Sequence, residues 1–179
     1  MLTLDLAAIP SHGHDLDLPA DGSLLFFVEP HLTPTNCRVV HVPAGTPVTE
    51  HPSPGMPVFD PIPLRARANW NLPNTEHEVP FDLRLDDEVE EAINEVMWDL
   101  EGNHSDYSLG GYGDTSTGGA DFPIINAKDH TVLATVRLYE EEVGDAFGET
   151  LIVVNFMIKH ADLAERAFDR IWLMYDFNG

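Results

Sequence analysis

Between Asn103 and Asp114 the chain reads Asn-His-Ser-Asp-Tyr-Ser-Leu-Gly-Gly-Tyr-Gly-Asp, which gathers a histidine, two tyrosines, three carboxylate or amide side chains and adjacent glycines into one short stretch. Aromatic faces, an imidazole and a carboxylate around a turn can line a small-molecule or peptide groove. His104, Tyr107, Gly110, Gly111, Tyr112 and Asp114 are therefore the candidate ligand- or partner-binding residues, with Asp106 and Asp114 as an anionic rim. The loop from Asn103 to Asp121 is long for a compact domain, which marks it as functional or mobile. The competing expectation is that Tyr107 and Tyr112 pack onto the core beneath their own turn.

Other chemistries are less complete. Gly113 and Gly118 have the four-residue gap of a phosphate-binding loop, but Gly119 follows where a lysine is required, and Asp114 and Asp121 would repel a phosphate. His12-Gly13-His14-Asp15-Leu16-Asp17 is the best metal candidate, because His12 and His14 point the same way in an extended chain and Asp15 or Asp17 could supply oxygen. Two histidines make half a zinc site, and no second cluster stands at a recognisable spacing. Asp15, Asp17 and Asp21-Gly22 miss the calcium-loop spacing. There is no Gly-x-Ser-x-Gly elbow, and Cys37 beside Arg38 reads as a packed free thiol. No catalytic residue, metal site or cofactor is assigned.

The elements that must position these residues are mixed, with more strand than helix. Ser23 to Val28 is an apolar run that suits a strand covered on both faces, and Arg38 to Val42 makes a shorter one. Nine of the fourteen prolines fall between Pro30 and Pro63, a density that predicts a wrapping loop with edge pieces. Pro63 to Trp70 can be extended again, with Leu64, Ala66 and Ala68 on one side and Arg65 and Arg67 on the other. Val89, Ala92, Ile93, Val96, Met97 and Leu100 recur at the spacing of one helical face, so a helix is predicted from about Asp86 to Leu100, opened by Asp86, Asp87 and Glu88 and closed by Gly102. Trp98 stands opposite that face, so either the helix is covered on two sides or the indole is a surface anchor, and cover is the reading preferred because large exposed aromatics are uncommon on monomers.

Further on, Val132, Ala134, Val136 and Leu138 alternate with Thr131, Thr135 and Arg137, the pattern of a half-buried strand. Leu151 to Ile158 is apolar on both faces apart from Asn155 and reads as a central strand. Ala161 to Phe168 predicts a short helix with Leu163, Ala164, Ala167 and Phe168 inward, and Ile171 to Tyr175 a closing strand. The fold expected is α+β, a mixed, mostly antiparallel sheet core with two principal short helices, in two related β-rich halves.

Composition narrows the function. A length of 179 residues fits one domain spanning 1–179, able to bury a core without disulfide or metal. With 31 acidic against 9 basic residues the formal net charge is -22, which disfavours nucleic acid and anionic membrane surfaces as partners. No apolar stretch approaches the ~20 residues that cross a bilayer, and one cysteine fits a reducing compartment, so the expected location is cytoplasmic. The charge suits either a soluble surface or a face for a basic protein partner.

Leu4-Asp5-Leu6-Ala7, Asp21-Gly22-Ser23-Leu24-Leu25-Phe26-Phe27, the Leu109-Gly110-Gly111-Tyr112 turn, and Asp162-Leu163-Ala164-Glu165-Arg166-Ala167-Phe168-Asp169-Arg170-Ile171-Trp172 together resemble the YwqG-like family of uncharacterised bacterial proteins. The resemblance spans nearly the whole chain and implies a mixed α and β fold. Members lie near bacterial toxin and immunity genes, which implies an interaction role. It also implies an additional amino-terminal portion that this sequence lacks, leaving a sheet edge open to pairing and hence a possible homodimer. The function expected is a non-catalytic interaction protein, of immunity or adaptor type, that presents an acidic surface to a basic partner. The alternatives are a small-molecule or peptide binding module using the 103–121 loop, and a metal-assisted hydrolase built on His12, His14 and distant carboxylates.

Overall fold

The computed structural model describes residues 2–29, 33–49, 51, 61–69, 86, 88, 89, 91–93, 95, 96, 106–113, 129–140 and 151–178. Among them are two antiparallel sheets. The first has the order β1 (Leu2–Asp5), β2 (Ser23–Val28), β3 (Cys37–Val42); the second has the order β4 (Tyr107–Leu109), β5 (His130–Tyr139), β6 (Leu151–Lys159), β7 (Trp172–Asn178). The short helical turn at Leu6–Ala8 lies between β1 and β2, those at His160–Ala164 and Phe168–Arg170 lie between β6 and β7, and the fold class is α+β.

The sheets share one core. Leu24, Phe26 and Val39 of the first meet Ala134, Val136, Ile152, Val154, Phe156 and Ile158 of the second, with Phe26 and Phe156 edge to face at 5.0 Å between ring centroids. That arrangement presents the positive ring edge to the negative ring face. The backbone also ties the sheets, since the Leu173 amide donates to the Pro34 carbonyl at 2.9 Å.

β6 is the central strand that its apolar run predicts: Ile152 through Ile158 are all buried, so both of its faces are covered. Its one buried polar residue, Asn155, sits opposite Thr135, and Thr135 Oγ1 donates to Asn155 Oδ1 at 2.8 Å, which offsets the cost of burying the amide. β5 differs from the half-buried strand expected. Val132 to Val136 are buried without a break, and a register shift between Val132 and Ala134 turns Val132 to the far face, where it joins Met157 and Met174. An extra residue in one strand has that effect because side chains alternate with period two.

β2 is covered on one face only: Leu24 and Phe26 are buried, whereas Phe27 is 38% exposed. The helix expected over Ala161 to Phe168 stops early. Arg166 takes a left-handed φ of 56°, so Ala164 is exposed while Leu163 and Phe168 reach the core. Residues 61–69 join neither sheet, and all are exposed. Residues 88, 89, 91–93, 95 and 96 are helical, and Asp86 caps them by accepting from the Val89 amide at 3.0 Å. Val89 and Val96, expected inward, are 43% and 53% exposed. Met97, Trp98, Leu100 and Gly102 lie outside the described residues.

Candidate functional site

The Gly-Gly-Tyr turn hangs from the end of β4. This three-residue strand is defined by its pairing with β5, Tyr107 opposite Val136 and Leu109 opposite Ala134, and the pairing is extended at both ends by Arg137 donating to the Asp106 carbonyl at 2.7 Å and Gly110 donating to the Leu133 carbonyl at 3.2 Å. Gly110, Gly111 and Gly113 then take φ of 72°, 81° and 76°. Three left-handed residues within four positions would strain any side chain, so glycine is what allows the chain to curl here.

The curl separates the two tyrosines. Tyr107 shares the inner face with Val136 and packs against the core, as the packing alternative expects, whereas Tyr112 is 39% exposed. Asp106 is half-buried and turned to a neighbour within the fold. Its carboxylate accepts from the Tyr139 hydroxyl at 3.0 Å, and desolvation together with that bond raises the phenol's pKa. His104 and Asp114 lie outside the described residues.

A second stretch singled out by sequence comes to the same place. A Cβ added to Gly110 would stand 3.3 Å from Asp15 Oδ1 and 3.5 Å from Leu16 Cδ1, so the turn rests directly on the 10–18 loop. Leu16 anchors that loop in the core, and Asp15 and Asp17 on either side of it are exposed. The loop is shaped by Gly13 donating to the Pro10 carbonyl at 2.9 Å and Leu18 donating to the Leu16 carbonyl at 3.0 Å. A third segment closes in at Ala68, whose Cβ would be 3.0 Å from a Cβ on Gly13. The flanking Arg65 and Arg67 are exposed. The meeting of Asp15 and Leu16 with Gly110 had no signal in the sequence, because nothing local relates segments so far apart.

His12 is exposed and His14 half-buried, with His14 Nδ1 buried and without a hydrogen-bond partner. Among the described residues no group of three or more His, Cys, Asp or Glu side chains could hold a metal ion, so these two histidines gain no third such ligand there. Cys37 packs at the edge of the core, and burial pushes its thiol up to about 11, which keeps it protonated near neutral pH.

At this junction stand an exposed phenol, exposed carboxylates and a backbone that permits close approach. Together with the two antiparallel sheets it defines an acidic α+β protein with a junction of loops at its surface. The chain belongs to the family described as Domain of unknown function (DUF1963), whose model matches residues 1–176, and this is the YwqG-like family. No curated protein matches the chain. No helix among the described residues is long and apolar enough to cross a membrane.

Proposed function

We propose that the protein works by binding rather than by catalysis, and that the junction of the 10–18 loop with the Gly110 to Gly113 turn receives a basic protein partner, in an immunity or adaptor role. The observation that carries this reading is the seating of Gly110 against Asp15 and Leu16, which puts exposed Tyr112 and exposed Asp15 on two adjoining segments. A guanidinium suits such a surface. Its planar fork pairs with a carboxylate and stacks on an aromatic ring. The formal net charge of -22 would draw a cationic partner from a distance.

The test uses a labelled arginine-rich peptide, with anisotropy measured at low and at physiological salt. Tyr112→Ala and Asp15→Asn should each weaken binding about tenfold, whereas Glu91→Gln, in the helical stretch, should leave it near the starting value. Equal effects at all three positions would reduce the interaction to diffuse charge and remove the site. Melting curves accompany the titration. Tyr107→Ala should cost more stability than Tyr112→Ala, since the first ring packs on the core and the second is exposed.

A further inference from the structure

We propose that the open edge of β1 pairs with the same strand of a second copy of this chain, antiparallel about a two-fold axis at Leu4, so that the two three-stranded sheets become one. This contact is independent of the loop junction and of what docks there.

Backbone bonds fix which groups of β1 are open. The Leu6 amide donates to the Gly22 carbonyl at 3.0 Å, and that pair continues the register in which Leu4 stands opposite Leu24 and Leu2 opposite Phe26. In an antiparallel pair, residues that bond across alternate with residues whose amide and carbonyl point the other way, so Leu2 and Leu4 bond to β2 while Thr3 and Asp5 turn theirs outward. The other side of β2 agrees. The Glu29 amide donates to the Asn36 carbonyl at 3.1 Å, in line with Phe27 opposite Arg38 and Leu25 opposite Val40, which leaves Leu24 and Phe26 to face β1. Past Asp5 the Ala7 amide is already taken by the Asp5 carboxylate at 3.1 Å. Among the described residues β1 has β2 as its one sheet neighbour.

The open groups are self-complementary. With the axis at Leu4, Thr3 stands opposite the partner's Asp5 and Asp5 opposite the partner's Thr3, and each pair can exchange both of its main-chain bonds. An axis at Thr3 leaves Asp5 with no such partner in β1. An axis at Asp5 sets two carboxylates opposite each other and asks for the committed Ala7 amide. Side chains favour the same choice. Leu4 meets its own copy on the inner face, where Leu2 and Leu4 are half-buried against the core, and on the exposed face the Thr3 hydroxyl can donate to a carboxylate. β1 also has no proline, lysine or bulge, the devices that commonly protect an edge. The formal net charge of -22 on each copy opposes the contact, and so short a pairing buries less than a standard interface, so the dimer is reversible and tightens with salt.

The experiment makes Thr3→Cys and Asp5→Cys as separate variants of the Cys37→Ser protein and mixes them in a glutathione redox buffer. Opposed Cα atoms in this register are about 5.5 Å apart, within reach of a disulfide. The mixture should form a dimer linking one variant to the other, about tenfold faster than a mixture of Thr3→Cys with Glu91→Cys, which reports random collision. Thr3 and Asp5 are exposed, so both variants keep the fold. Sedimentation of the Cys37→Ser parent should show a reversible dimer at micromolar concentration, about threefold tighter at ~0.15 M than at ~0.01 M ionic strength. A monomeric mass throughout would overturn the proposal. So would a mixture that links no faster than the collisional background, a link formed by Thr3→Cys alone, or a dimer that salt dissociates.

Discussion

Arg166 is the one non-glycine residue with positive φ among those described, at 56°, and its surroundings explain why. It follows the end of the His160–Ala164 helix, where the Arg166 amide donates to the Leu163 carbonyl at 2.9 Å and the Ala167 amide to the Asp162 carbonyl at 2.8 Å. Those two bonds are the helix-ending pattern in which glycine is preferred at the left-handed position. The left-handed region costs an L-residue about 1–2 kcal/mol, and glycine gives back about 0.5–1 kcal/mol as unfolded-chain freedom. Arg166→Gly should therefore stabilise the protein by about 0.5–1 kcal/mol, seen as a rise of about 1–4 °C in Tm. Two glycines separate backbone strain from close packing. Gly22 and Gly45 have φ of 87° and 78°, but a Cβ on Gly22 would lie 2.5 Å from the Val42 carbonyl oxygen, whereas Gly45 has nothing within 4 Å. Gly45→Ala should cost about 1 kcal/mol and Gly22→Ala about 2–4 kcal/mol by denaturant unfolding. Cys37 gives a pH prediction. Burial raises its thiol from 9.0 to about 11, so at pH 8 alkylation by iodoacetamide should run about a hundredfold slower than in an unfolded control, because so little thiolate is present. The sign for stability follows from the same shift. The contribution is fully present below pH 9 and is lost as pH rises through the folded value, and Cys37→Ala should remove that dependence.

At the scale of elements, burial decides which strands could be foreseen. β6 is legible because a strand covered on both faces must be apolar throughout, and Leu151 to Ile158 is so except at Asn155. Phe156→Ala should cost about 3–5 kcal/mol by chemical denaturation, since that ring bridges the two sheets through Phe26. β2 and β3 were legible in position but not in sidedness, because an apolar run such as Leu25 and Phe27 does not say whether a second layer covers it. β4 was not legible at all. Three residues cannot display a period, and Tyr107 to Leu109 become a strand only by pairing with β5. The turn that follows was visible in its glycines, whereas its seat on Asp15 and Leu16 was not, since that contact joins segments with no local relation. Sheet edges carry the last prediction at this scale. On β7 the Leu173 amide is taken by Pro34 and the Phe177 amide by the Asp176 carboxylate at 2.9 Å, which blunts that edge. β1 and β3 are the outer strands of the other sheet, and the Phe168–Arg170 turn and β7 lie against β3, so a homodimer, where it forms, should pair at β1. Thr3→Pro, at a position opposite Leu25, should then turn a dimeric mass into a monomeric one by light scattering at micromolar concentration.

For the whole molecule, charge acts in two directions that salt can separate. With 31 acidic and 9 basic residues the folded chain repels itself; Arg170, bonded to Asp162 at 2.9 Å and to Glu165 at 3.2 Å, is exposed and contributes little net stability. The Debye length falls from about 30 Å at 0.01 M to about 8 Å at 0.15 M, so added salt screens repulsion between carboxylates spread over the surface. Relief on the order of 1 kcal/mol would raise Tm by about 2–4 °C at this chain length, and the rise should be about equal in sodium chloride and potassium chloride. The same screening weakens attraction to a cationic partner, chiefly by slowing association. Stability and binding should therefore move in opposite directions over one salt titration. A partner whose affinity held steady while Tm climbed would be recognised by packing around Tyr112 rather than by the charge of the chain, and Tyr112→Ala would then abolish binding at every salt concentration.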